Sequence, residues 1–344
     1  MARDAVAEVI LIAGCVLGAG ACGRPAVEVR PPNIFLISID ALRADHLGCY
    51  GYDRPTSPVL DELASRGTRF SSAFVNTHGT PPSHTTLLSS LYQETHQVDL
   101  DGSHDHGNDH RIPDEVELVQ EILQREGWRT IAVTGGGYMS AEFGFARGFD
   151  EFVDRVRGVN QGVEKLLEAL AGQTGEPRPI FALFHTYEEL LHVPLIVFGT
   201  GVEHGVVNPR LVSLVDVAPT ILSVAGLPVP ARMEGRDFLG DPSPVTWPAQ
   251  RVFAQYGSQL YCVRTPRWKL IWRPSSDRAQ LFDLRHDPTE RRNLVRKKPE
   301  ESARLLAEIE TWRRTRRRLD LVRRPAEDLS AEKAEELRAL GYAE

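Results

Sequence analysis

The sequence predicts an α/β fold, a sandwich of helices on a mostly parallel sheet, with a small antiparallel subdomain towards the C-terminal end. Three observations carry this prediction. Ile34–Ile39 and Ile180–Phe184 are nearly continuous apolar runs, as strands buried on both faces of a parallel sheet require. Helix-period stretches, Val59–Gly67, Pro113–Gly127 and Gly162–Ala171, are interleaved with runs of that kind. From Val252 the pattern changes to short alternating segments, which read as antiparallel strands.

The chain has 344 residues, 42% hydrophobic and 25% charged, enough for one large domain with a small appendage. Its formal net charge of -7 argues against general nucleic-acid binding. Cys15, Cys22, Cys49 and Cys262 make neither a metal-finger spacing nor a disulfide scaffold.

In Met1–Cys22, Arg3 precedes the apolar stretch Val9–Leu17, and small residues lead to Cys22. This reads as an export signal of lipoprotein type, with Gly23–Pro32 as a tether to a membrane-held lipid anchor. A secreted chain and an uncleaved anchor are the alternatives. Val9–Leu17 is short for a membrane-spanning helix.

The first strand hands the chain to Asp40, at the carboxyl end where ligand groups of open α/β sheets collect. Asp40 is either a metal ligand or a cap of the next turn. Thr80-Pro81-Pro82-Ser83-His84 follows. Thr80 suits an N-cap and Pro81 the first helical position, which places the Thr80 hydroxyl at a helix N-terminus. An anionic phosphoryl or sulfuryl group is favoured there by the helix dipole. A plain capping role is the competing reading. A metal-binding carboxylate and a hydroxyl nucleophile together are the minimum for metal-assisted ester hydrolysis.

The run from Asn33-Ile34-Phe35-Leu36-Ile37-Ser38-Ile39-Asp40 to Gly51-Tyr52 resembles the opening of the sulfatase family, within the alkaline phosphatase superfamily. Pro55-Thr56-Ser57-Pro58, Phe70-Ser71-Ser72-Ala73-Phe74 and Pro82-Ser83-His84 follow in that family's order. The resemblance implies an alkaline-phosphatase-like sandwich. It also implies Asp40 as a ligand of a divalent metal (Ca²⁺, Zn²⁺ or Mn²⁺), Thr80 as nucleophile, and His84 at the position of the signature arginine. Two departures stand out. Classical sulfatases carry a cysteine or serine that is oxidised to formylglycine; the secondary alcohol of Thr80 would give only a ketone, so formylglycine chemistry is not expected. Ala41 stands where a second aspartate is common.

His96–Arg111 contains His96, His104, His106 and His110 among several aspartates, and reads as a surface loop or as a metal site. Trp128–Thr134 is a strand, and Gly135-Gly136-Gly137 a tight turn without the spacing of a phosphate loop. Val193–Phe198 reads as another buried strand. Only His185–His192 separates it from Ile180–Phe184, too little for a parallel crossover, so the two are not an ordinary strand-helix-strand unit.

The resemblance implies that a segment is missing here, near residues 185–192. In the family that segment carries the later metal ligands in an Asp-His-Gly context, and no such motif follows Phe184. His185, Glu188, Glu189 and His192 are either substitute ligands or solvated residues. The family pattern resumes at Leu211–Leu222, as a late helix, with Asp216 in an N-cap or structural role rather than a catalytic one.

Domain boundaries follow as a main unit over 33–240, an antiparallel subdomain over 241–294 and a helical tail over 295–344. The subdomain strands are Val252–Tyr256, Leu260–Arg264, Trp268–Trp272 and Gln280–Asp283. The tail helices are Glu300–Arg318 and Ser330–Leu340, with the basic run Arg313–Arg318 on a solvated face or against a phosphate-rich partner.

The leading reading is an exported, metal-assisted hydrolase of sulfate or phosphate esters on a small molecule or glycan, with activity in doubt for want of the later ligands. A non-catalytic relative that binds an anionic glycan or partner competes with it, and so does a phosphodiesterase.

Overall fold

The computed structural model describes residues 31–39, 42–99, 110–156, 158–171, 178–186, 193–199, 201–240, 250–321 and 330–339. The export-signal reading of 1–22 and Asp40, His104, His106, Glu188, Glu189 and His192 lie outside the described residues.

A parallel sheet of four strands forms one half of the main unit: β1 (Ile34–Ile39), β3 (Arg129–Thr134), β4 (Glu151–Val153) and β5 (Ile180–Thr186), in the order β1-β5-β3-β4. β3 is buried at every position and β5 carries Phe181, Ala182 and Leu183, each at most 1% exposed, as strands with two neighbours and two covered faces must be. β1 departs from expectation. It is as apolar as an inner strand, yet it is an edge strand and Ile37 is 59% exposed.

The second half is a three-stranded sheet: β2 (Gly67–Phe74), β6 (Leu195–Phe198) and β7 (Val206–Ser213), in the order β6-β2-β7. β2 runs parallel to β7 and antiparallel to β6. The short connection after β5 therefore leads into a different sheet, consistent with the spacing limit on parallel neighbours. β6 is half-buried, not buried as its composition suggested, because it too is an edge. Leu211–Ser213, expected to open the late helix, instead ends β7, paired with Ser72–Phe74; the helix α6 is Val217–Val224. In chain order the preceding helices are α1 (Pro58–Ser65), α2 (Thr80–Ser89), α3 (Gln93–His96), α4 (Val119–Arg125) and α5 (Gly158–Ala171). α4 is shorter than the expected Pro113–Gly127, because Glu121 reaches back to the N–H of Leu118 at 2.8 Å and fixes the start there.

β8 (Val252–Tyr256), β9 (Leu260–Arg264), β10 (Trp268–Arg273) and β11 (Arg278–Asp283) form the expected antiparallel sheet. α7 (Pro299–Thr315) covers it, burying Leu305, Ile309 and Trp312 against Tyr261, Val263 and Leu270. The basic run is a solvated face only in part: Arg314 and Arg317 are exposed, whereas three others reach partners. The Arg313 guanidinium stacks 4.2 Å from the Tyr261 ring, Arg316 pairs with Glu234 at 2.8 Å, and Arg318 pairs with Glu94 at 2.9 Å. α8 (Ala331–Ala339) returns to the main unit: Leu337 enters its core, and Glu336 accepts the Gly137 N–H at 2.7 Å.

Candidate active site

α2 is buried at all ten positions, although six of its side chains are polar. The hydroxyls are satisfied by bonding back one turn: Ser83 donates to the Gly79 carbonyl at 2.6 Å, Thr85 to Pro81 at 2.7 Å and Ser89 to Thr85 at 2.6 Å. A polar helix can be buried here because these hydroxyls bond within it, while His84 and Thr86 find partners on β1 and α3.

Thr80 is the first residue inside the helix rather than its cap. Gly79 holds the cap position with φ 85°, a left-handed conformation that favours glycine, and no side chain caps the helix. Pro81 and Pro82 have no N–H, which removes two of the donors that an ordinary helix N-terminus presents. The N-terminus is therefore a narrower anion site than an ordinary helix end.

His84, one turn along, ties this helix to the first strand. Its Nδ1 lies 2.9 Å from the Thr80 carbonyl oxygen and its Nε2 lies 2.9 Å from Ser38 Oγ, near the carboxyl end of β1. A carbonyl only accepts, so Nδ1 carries the proton. In the neutral ring Nε2 then accepts from the Ser38 hydroxyl. Thr80 and His84 are thus brought together, as the sequence led one to expect. His84 acts on the backbone of Thr80 and on β1.

A cavity of about 1010 Å³ opens at this point, lined by Thr80, His84 and Ser38 together with His78, Tyr256 and His110. The His78 and Tyr256 rings lie 3.8 Å apart, and Tyr256 comes from the antiparallel sheet. That sheet is fastened to the loop before Thr80: Gln255 donates to the Asn76 carbonyl at 2.8 Å, and Asn76 Nδ2 donates to the Phe253 carbonyl at 2.8 Å. Asn76 Oδ1 also accepts the Val215 N–H at 3.0 Å. Sequence reasoning missed Ser38, His78 and Tyr256. The serine that interrupts the apolar run at its carboxyl end was a readable signal; Tyr256, far along the chain in another sheet, had none.

Two buried titratable groups brace the surroundings. Asp216 stands at the N-cap position of α6 without a side-chain capping bond; its carboxylate has a structural role, accepting the Ser213 N–H at 2.9 Å and the Arg236 N–H at 3.0 Å, and burial pushes its pKa up to about 6. His96 is no metal ligand: Nδ1 accepts the Val98 N–H and Nε2 faces Thr86 Oγ1, both at 3.1 Å, while burial lowers its pKa to about 3. Asp40, the expected metal ligand, lies outside the described residues. Among the described residues no three histidine, cysteine or carboxylate side chains converge as a metal site.

Two family descriptions match the chain in succession, Sulfatase over residues 32–170 and N-sulphoglucosamine sulphohydrolase, C-terminal, over residues 180–315. Arylsulfatase K of Bos taurus is 34% identical over 131 residues, 33% of this chain and 24% of that protein. The Delta 4,5-hexuronate-2-O-sulfatase of Bacteroides thetaiotaomicron is 28% identical over 115 residues, 33% of this chain and 24% of that protein. The match thus spans about a quarter of the length of these curated relatives. Among solved structures, BT4656 in complex with its substrate D-glucosamine-2-N,6-O-disulfate has a TM-score of 0.70 at 13% identity, covering 83% of this chain and 98% of that one. Phosphonate monoester hydrolase of Agrobacterium radiobacter has a TM-score of 0.65 at 15% identity, covering 83% and 96%. These likenesses show the alkaline-phosphatase-like fold. With the two family descriptions between them matching most of 32–315, and with that fold around Thr80, the chain belongs to the sulfatase family.

Proposed function

We propose that the chain is an ester hydrolase that takes a sulfate ester at the N-terminus of α2, with Thr80 as its nucleophile. The carrying observation is the placement of Thr80, inside the first turn of a buried helix, at the wall of the cavity and held by the His84–Ser38 link. The sulfuryl group would face the positive end of the helix dipole. Thr80 Oγ would bond to sulfur as the ester oxygen leaves with the bonding pair and takes a proton; water then cleaves the threonine ester and restores the hydroxyl. A divalent metal held through Asp40, if bound, would supply charge neutralisation of the sulfuryl oxygens. The ester's alcohol is proposed to be a sulfated sugar or small molecule, as in relatives whose names specify hexuronate and glucosamine sulfates. An export signal with a lipid anchor, proposed from Met1–Cys22, would put the enzyme in the cell envelope.

A second reading is a non-catalytic anion binder. His84 favours it, since its two ring nitrogens are both engaged within the protein and it has no evident role in proton transfer. Turnover of aryl sulfate, phosphate monoester and phosphate diester by the full chain with Ca²⁺, Mn²⁺ or Zn²⁺, beside Thr80→Ala, separates the readings. Sulfate release that depends on Thr80 supports the hydrolase; preference for a phosphate ester would move it to the phosphodiesterase or phosphatase branch.

A further inference from the structure

The face of the antiparallel sheet that points away from α7 carries one row of residues in register across all four strands. Phe253, Tyr261, Val263, Leu270, Trp272 and Ala279 pack into the core beneath α7, so the residues next to them alternate to the other face. On that face Tyr256 pairs with Leu260 and Arg273 with Arg278, and the Trp272–Tyr261 pair sets Arg273 beside Leu260. The row begins at the candidate site, where Tyr256 meets His78 on the cavity wall, and ends on β11 at the far edge of the sheet. Its far end is electrostatically unbalanced. Arg273 and Arg278 are exposed, stand directly opposite each other, and make no ion pair among the described residues. Like charges in that position disfavour the strand pair. The other cations of this face are engaged: Lys269 pairs with Glu290 at 2.8 Å, and the Arg264 guanidinium lies 4.4 Å from the Phe74 ring. Asp277, beside Arg278 in the hairpin, accepts the Trp272 Nε1–H at 3.3 Å.

We propose that this row is a track for a glycan that bears sulfates on successive sugars, one sulfate being held by Arg273 and Arg278 while another enters the Thr80 site. The entry of that second sulfate rests on the hydrolase reading; the track itself does not. Two guanidinium forks one strand spacing apart lose their mutual repulsion on a shared oxyanion, and a sulfate can accept paired N–H bonds as a carboxylate or phosphate does. Between the arginines and the cavity, Tyr256 offers a ring and Leu260 an apolar side chain to the C–H face of a sugar. Length selects a polymer over a single sugar, since three strand spacings, about 14 Å, separate Tyr256 from Arg278. A formal net charge of -7 stands against nucleic acid as the polyanion.

The probe is a fluorescein-labelled dextran sulfate oligosaccharide, read by anisotropy with the full chain carrying Thr80→Ala, so that turnover does not consume it. Unsulfated dextran and single-stranded DNA of equal charge are the controls. Dextran sulfate is expected to bind, more weakly as salt rises, and unsulfated dextran is not. Arg273→Ser together with Arg278→Ser should weaken binding by about tenfold or more, and the two lysine substitutions by less, since they keep the charge and lose the fork. The double serine variant should melt no earlier than the parent, because a like-charge pair has gone. The proposal is overturned by absence of binding, by undiminished binding in the double serine variant, or by DNA binding as tight as that of dextran sulfate. None of these readouts depends on turnover, so failure of the track is distinguishable from failure of the hydrolase reading.

Discussion

The Ser38 hydroxyl on β1 and the His84 ring on α2 meet at 2.9 Å, and the other side of the same ring holds the Thr80 carbonyl at 2.9 Å. Through one imidazole the carboxyl end of the first strand fixes the first turn of the helix that carries Thr80. His84 thus acts as a brace between β1 and α2.

That brace can be measured. Ser38→Ala leaves a buried imidazole nitrogen without its partner and should cost about 1–3 kcal/mol in urea unfolding, with Ser38→Thr close to the parent. Unchanged stability in Ser38→Ala would show that Nε2 has another partner.

Acid sensitivity follows from His96. Its folded-state pKa lies near 3, below the ordinary 6.5, so the folded protein favours the neutral ring. The stability this contributes is whole above about pH 6.5 and is lost as pH falls towards 3. Asp216 works in the opposite sense: raised to about 6 from 3.8, it costs stability at neutral pH, and that cost is relieved on acidification between these values. His96→Gln should flatten the acid limb of a thermal-unfolding profile, leaving the opposite slope of Asp216 visible.

The C-terminal basic run is a structural clasp. Glu234 accepts the Tyr92 N–H at 2.7 Å and an Arg316 N–H at 2.8 Å, with burial raising its pKa. Arg316→Ala should therefore destabilise the protein by about 2 kcal/mol, and Glu234→Gln in the same chain should recover part of the loss, because the stranded charge is then gone. A double variant no better than Arg316→Ala alone would contradict the pairing.

Tyr256 extends the antiparallel sheet's influence to the site. Tyr256→Phe keeps the ring against His78 and should leave substrate affinity near the parent, whereas Tyr256→Ala should raise KM by about tenfold with little effect on unfolding. Equal behaviour of the two variants would place the hydroxyl, not the ring, in the role.

The parts of this architecture that depend on local pattern were legible in the sequence. The antiparallel strands, α7 and the seat of Thr80 beside His84 lie where periodicity, proline and the Pro-Ser-His motif put them. β7 was not, since Val206–Ser213 is a strand through its pairing with β2, a contact between segments far apart in sequence. The edge position of β1 was illegible for a related reason: an apolar strand announces that it can take two neighbours, not how many it has. The tail was legible in part: Arg314 and Arg317 are exposed, as the pattern suggests, but arginine on a helix looks solvated until the ring or carboxylate it meets is known, and Arg313 and Arg316 meet Tyr261 and Glu234. Thr80 was displaced by one position, from cap to first helical residue, because Gly79 can adopt the left-handed backbone that ends the loop.

The most direct measurement is sulfate release from an aryl sulfate by the full chain, by Thr80→Ser and by Thr80→Ala, with calcium present. The account predicts turnover that survives in Thr80→Ser, which keeps a hydroxyl at the same helix position, and falls by about a thousandfold or more in Thr80→Ala. Turnover unchanged in Thr80→Ala, or absent from the folded parent chain, would contradict it.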